Sequence, residues 1–347
     1  AWTDGSHLDL FHDTDQSADA IARFANEENA AGYRRFCRDG ALIHGLLKDN
    51  FMSTTQPSPI TLGYRLIRDG GINALSVAPH RSLWSALGKY FSDPRLRQLY
   101  GRYATYVGSS PLLTPSTLML IAHVERDGVW CVDGGMRALA LAMAELAQEH
   151  GGRFHYDSPV RRIDCVNGRA TGITLASGET HSADVVVFNG DTAALSDGLL
   201  GADVSTSVPV RPRHQRGLSA ITWCINAETS GFEFDHHNVF FAQNYAQEFS
   251  TIFDNRGLCN EPTVYVCAQD RINGAPLKAG TERLLLLVNA PADGDHKAWT
   301  RNKLDEQREH ALSVVNRGGA NKILHESSFN QKMAFIFIYK KHYFKSL

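Results

Sequence analysis

Three groups of residues in this chain have the types and spacing to do chemistry. Gly134-Gly135 stands at the start of an apolar-periodic segment. Glycines there let the backbone N–H groups of a helix N-terminus approach an anionic or polar cofactor, although the same pair also serves simply to begin a helix. Asn189-Gly190-Asp191 closes the apolar run Val185-Val186-Val187-Phe188. Ligands of α/β sheets bind beyond the carboxyl ends of strands, so Asp191 is a candidate cofactor contact or a turn-former. His236-His237 is the one adjacent His pair. Neighbouring side chains on a strand point to opposite faces. This predicts that the two histidines do not share a metal, and no metal site is expected. A structural or a ligand-facing role for one of them stays open. The chain contains no G-x-S-x-G, no H-E-x-x-H and no G-x-G-x-x-G, so neither a hydrolase signature nor a dinucleotide fingerprint is present.

The elements that must position these residues can be read in order. Ser17 is a candidate cap for a helix through Ala20, Ile21, Phe24 and Ala25. Tyr33, Phe36, Cys37, Leu42 and Leu46 recur at three- and four-residue spacing, as on a second helix. Residues 53–63 hold Pro57, Pro59 and Gly63 and read as a loop. Two more helices follow at 82–90 and, behind Asp93-Pro94, at 94–106. Another spans 116–124. These first residues form either a packed helical subdomain or a cap lining a pocket for a long apolar ligand.

Met136 to His150 is a strong helix, with Leu139, Met143 and Leu146 on one face and Gly151-Gly152 to end it. A short strand is expected at 153–156. A hairpin, 160–166 and 170–175, turns at Asn167-Gly168 as a type I′ turn. Residues 184–188 read as a strand buried on both faces of a parallel sheet. Strands are expected at 219–227, 237–242, 263–268 and 283–289, and a helix at 299–315. The fold class is α+β overall, with an α/β part.

Net charge is -2, which gives no electrostatic case for nucleic acid. Hydrophobic content of 43% and charged content of 21% suit a globular core. No apolar run reaches the length of a transmembrane helix. The six cysteines contain no C-x-x-C pair, so reduced, mostly buried thiols are expected. The C-terminal residues carry Lys322, Lys332, Lys340, Lys341 and Lys345 but no Arg, among many aromatics. One reading is an off-frame stretch; the other is a basic-aromatic tail lying on a membrane surface.

Four stretches then carry a resemblance: DPRLRQLYGRYATYVGSSPLLTPSTL (93–118), DGVWCVDGGMRAL (127–139), SADVVVFNGDTAAL (182–195) and HHNVFFAQNYAQEFSTIF (236–253). Together they resemble the carotenoid desaturases of the phytoene dehydrogenase group, within the flavin amine oxidase superfamily. The opening AWTDGSHLDLF, SAITWCINA and EPTVYVCAQDR are similar in particular to the subgroup of hydroxyneurosporene and methoxyneurosporene dehydrogenases, the 1-hydroxycarotenoid 3,4-desaturases.

The resemblance implies an internal portion of such an enzyme, without the N-terminal strand and G-x-G-x-x-G loop and without the closing flavin segment. It implies FAD as cofactor, with Gly134, Gly135, Val160, Asn189 and Asp191 as the cofactor-binding candidates. It implies a carotenoid substrate, hydride transfer to flavin, and a cytoplasmic protein peripheral to the bacterial membrane. The portion by itself is expected to be inactive, and no catalytic residue is assigned. The domains expected on this basis are a helical, substrate- or membrane-facing part at 1–125, the middle of a Rossmann-like FAD domain at 126–200, a mixed substrate sheet with its return helix at 201–315, and an anomalous tail at 316–347. Another flavin-dependent polyene desaturase or isomerase, an amine oxidase-like oxidoreductase, or a non-catalytic isoprenoid binder are the alternatives.

Overall fold

Helix starts in this chain are set by short polar side chains that accept the first unpaired backbone N–H groups. The computed structural model describes residues 1–48, 52–53, 68, 81–271, 280–294, 299–320 and 322–324. Asp13 caps α1 (Thr14–Phe24), accepting from the N–H groups of Asp15 and Gln16 at 2.8 Å. Ser17 therefore lies inside the helix rather than at its start, and its hydroxyl donates to the Phe11 carbonyl at 2.9 Å. Asn26 caps α2 (Glu27–Leu47). The buried stripe of α2 is Tyr33, Phe36, Cys37, Gly40, Ile43 and Leu47. The expected Leu42 and Leu46 sit one position off it, because Gly40 occupies a stripe position and carries no apolar side chain to mark it. Ser82 caps α3 (Leu83–Leu87), and Asp93 caps α4 (Pro94–Gly101), which continues as a 3-10 segment from Arg102 to Val107. A 3-10 turn, Ser116–Met119, leads into α5 (Leu120–Asp127).

Contacts divide the chain into two units, residues 1–129 with 217–347, and residues 130–216. In the first unit the helices bury Ile21, Phe36, Ile43, Leu83, Leu87, Phe91, Leu96 and Tyr100 in one core. The rest of that unit is a sheet of β4 (Leu218–Ser230), β5 (His237–Phe240), β6 (Val264–Ala268), β7 (Glu282–Pro291) and β8 (Lys322–Leu324), in spatial order β5-β6-β7-β4-β8. All its strand pairs among the described residues are antiparallel. The expected mixed sheet is thus an antiparallel one among the described residues. α9 (Arg301–Arg317), capped by Thr300, packs Ala311, Val314 and Val315 onto one face of the sheet, against Val264, Val266, Leu284, Leu286 and Val288. Trp2 joins sheet and helices: it stacks on Phe241, lies 5.1 Å from Phe24, and donates Nε1 to buried Gln98, which donates in turn to the Ala242 carbonyl.

In the second unit α6 (Gly135–Glu149) precedes an antiparallel meander of β1 (Val160–Val166), β2 (Arg169–Leu175) and β3 (Thr180–Ser182). Asn167 (φ 50°) and Gly168 (φ 77°) make the expected left-handed hairpin turn. α7 (Thr192–Ser196) follows. Two expectations fail here. Residues 153–156 and 184–188 are not strands, and Val185 and Val187 are 74% and 84% exposed. An apolar run becomes a strand when a neighbouring backbone pairs with it, and no strand among the described residues lies beside 184–188. Likewise α6 forms where expected but buries no residue, so its face of Leu139, Met143 and Leu146 is exposed. The expected loop at 53–63, apart from Ser53, and the tail beyond Leu324 lie outside the described residues.

Candidate functional site

In the second unit, Gly134 (φ 81°) and Gly135 (φ 75°) both adopt left-handed backbone and open α6 without a side-chain cap. A Cβ on Gly134 would come within 3.0 Å of Ala138 Cβ. An uncapped N-terminus of a 15-residue helix offers N–H donors and the positive end of the helix dipole. That arrangement fits a polar or anionic cofactor group. Val160, exposed, is the first residue of β1, paired with Leu175. Asn189 is exposed. Asp191 is the cap of α7, accepting from Ala193 N at 2.8 Å. The turn-forming role of Asp191 is thus realised in the fold.

In the first unit, the sheet presents a second face, away from α9. Strand register puts Cys224, Leu285, Cys267 and His237 in one row across four strands, and Thr222, Leu287, Tyr265 and Val239 in the next. Leu285, Leu287, Tyr265 and Val239 are half-buried. One end of this face is covered by α8 (Tyr245–Phe253), a helix that the sequence patterns did not reveal although Asn244 caps it, accepting from Gln247 N. Glu248 of α8 is fully buried; it accepts from Thr263 N and Asn289 Nδ2. Burial, offset in part by these bonds, raises its carboxyl to about 7.

A polar chain stands in the helical part of the same unit. Arg102 donates to the Tyr106 hydroxyl at 2.6 Å, and Tyr106 and Tyr103 each donate to one carboxylate oxygen of Glu125, at 2.9 and 2.8 Å. Burial, with the Glu125 charge beside it, holds the Tyr106 phenol protonated, pushed up to about 12. The Arg102 charge is felt at both Tyr265 and His237 of the second face.

His236 and His237 depart from the alternation argument. β5 begins at His237. The His236 backbone N–H turns to Asp235 Oδ1, and its ring, not its N–H, meets the Ala268 carbonyl, at 3.1 Å. The two rings end up with centroids 4.4 Å apart. Among the cysteines Cys37, Cys259 and Cys267 are buried, while Cys131 and Cys224 are exposed. No helix among the described residues is long and apolar enough to cross a membrane.

Comparison with known proteins gives these features a context. The pattern of the family "Flavin containing amine oxidoreductase" matches residues 79–319. A hydroxyneurosporene desaturase of Rubrivivax gelatinosus is 42% identical over 312 residues, 90% of this chain and 59% of the relative. One of Cereibacter sphaeroides is 42% identical over 294 residues, 84% of this chain and 58% of the relative. A 1-hydroxycarotenoid 3,4-desaturase of a Flavobacterium species is 34% identical over 230 residues, 66% of this chain and 46% of the relative. The chain therefore spans under two thirds of the length of these relatives. With most of its length matched by one family pattern, the chain belongs to the flavin containing amine oxidoreductases.

Proposed function

We propose that the chain is part of an FAD-dependent carotenoid desaturase that introduces a C-3,4 double bond into a 1-hydroxy or 1-methoxy carotenoid. The observation that carries this reading is the second face of the sheet, where half-buried Leu285, Leu287, Tyr265 and Val239 lie together and suit a long polyene, taken with the desaturases that the chain is similar to. Bound flavin would supply the hydride acceptor, and the protein's part is position and a dry environment.

In this reading Leu285, Leu287, Val239 and Tyr265 form an apolar floor that excludes water from the polyene. The Arg102–Tyr106–Glu125 chain would orient a terminal hydroxyl or methoxy group. Gly134 and Gly135 open α6 so that the N–H groups after Gly135, whose own N–H is taken by the Val132 carbonyl, would face a polar part of FAD, with Val160, Asn189 and Asp191 in the same nucleotide-binding part. Peripheral membrane contact is supported by exposed Leu112 and Leu113 in the helical region, since the substrate is dissolved in lipid.

The test is binding of a 1-hydroxy carotenoid to the 347-residue chain, followed by the polyene absorption bands and quenching of protein fluorescence. The expected result is saturable binding, weakened in Leu287→Asp at least about tenfold, the effect of about 1.4 kcal/mol. Equal binding by the variant would remove the floor from the account.

A further inference from the structure

On the same face of the sheet as the proposed polyene floor, but argued from its own side-chain geometry, we propose that His236, His237 and Cys267 form a divalent-cation site of the Zn2+ class. One ligand atom from each lies within 4.8 Å of the others. His237 and Cys267 are directly opposed partners across the β5–β6 ladder, so their side chains share a face. His236, one residue before β5, joins them: its carbonyl still accepts from Ala268 N at 3.0 Å, but its N–H turns to Asp235 and its ring lies against the sulfur. Its ring takes the Ala268 carbonyl, and its Nε2 stands 3.8 Å from Cys267 Sγ.

The hydrogen bonds around the cluster suit a metal. A carbonyl oxygen accepts and never donates, so His236 must carry its proton on Nδ1, leaving the Nε2 lone pair directed toward the sulfur. A ligating histidine held by its other ring nitrogen to a backbone carbonyl is the usual outer-shell arrangement of zinc sites. His237 has a comparable support: its Nδ1 pairs with the Tyr265 hydroxyl at 2.7 Å. Tetrahedral Zn2+, with Zn–N about 2.0–2.1 Å and Zn–S about 2.3 Å, needs ligand atoms about 3.3–3.7 Å apart. The His236–Cys267 distance is close to that, and the exposed His237 ring has its ligand atom within 4.8 Å of the other two. Two imidazoles and a thiolate fit a borderline-soft cation and exclude Mg2+ and Ca2+, which take oxygen ligands. Three protein ligands leave the fourth position open to solvent.

The probe is Co2+ added to the reduced 347-residue chain. The expected result is uptake of one equivalent, with the intense visible bands of a tetrahedral site and a thiolate-to-cobalt charge-transfer band in the near ultraviolet, both lost when Zn2+ is added. Cys267→Ser abolishes the charge-transfer band. His237→Gln, a change on the surface, weakens Co2+ binding by more than about tenfold, the cost of losing even an outer-shell partner. Unchanged melting of the metal-free variants shows that the fold is intact. Absence of the charge-transfer band in the unmodified chain overturns the proposal. So does a band that survives Cys267→Ser, which would place the cation on another thiol such as Cys131 or Cys224.

Discussion

The Glu248 carboxylate accepts a 3.1 Å hydrogen bond from Asn289 Nδ2, joining α8 to β7 with a fully buried acid. Its folded carboxyl is raised from 4.5 to about 7, first by burial. The folded state therefore holds this proton more tightly than the unfolded chain does. The associated stability is fully present below pH 4.5 and is lost as pH rises toward about 7. At roughly 1.4 kcal/mol per pH unit the loss approaches about 3 kcal/mol. Denaturant unfolding at pH 5 and pH 8 checks this. Glu248→Gln is expected to flatten the difference, and an equal slope in both proteins would contradict the assignment.

Arg271 and Glu282 make a second buried commitment. Arg271 donates Nη2 and Nε to the two Glu282 oxygens, each at 2.8 Å, and Glu282 also accepts from the Thr229 hydroxyl. Arg271→Met leaves a buried carboxylate without its cation and is expected to cost about 3–5 kcal/mol. Arg271→Met with Glu282→Leu should recover most of that loss. Chemical denaturation of the two variants separates the penalty of an unpaired charge from the value of the pair.

Gly32 reverses a helix-propensity rule. In mid-helix, Gly→Ala ordinarily stabilises by about 1 kcal/mol. Here a Cβ would lie 1.8 Å from the Tyr90 carbonyl oxygen, a backbone atom that cannot step aside. Gly32→Ala is expected to destabilise by about 3 kcal/mol or more through overpacking. A raised melting temperature would show that α2 does not approach residue 90 so closely.

Gly135, at φ 75°, has open space where a Cβ would stand. Gly135→Ala therefore carries only the backbone penalty of about 1–2 kcal/mol for a left-handed residue. Amide exchange of residues 136–138 should quicken while the β1–β2 hairpin keeps its protection.

Much of this was legible in the residues. Asp93-Pro94 opens α4, Asn167-Gly168 turns the hairpin, and β4 to β7 fall within three residues of their expected ends. These features are local. The misses all concern partners. Val185 to Phe188 is apolar enough to be a strand, but periodicity does not say what pairs with it. α6 has an apolar face with nothing buried beneath it. His236 is decided by one residue of strand length: the alternation rule holds inside a ladder, and β5 begins after it. Glu248 was invisible because its consequence comes from burial by a sheet distant in sequence.

The central claim is flavin-dependent desaturation of a hydroxylated carotenoid. Its most direct test is to express the genomic reading frame that carries this chain in a bacterium accumulating a 1-hydroxy carotenoid, and to analyse the pigments by mass and absorption. The account predicts a product lighter by one pair of hydrogens, with absorption shifted to the red by an added conjugated double bond, and loss of that product in Leu287→Asp. Unchanged pigment from a well-folded, flavin-loaded protein would contradict it.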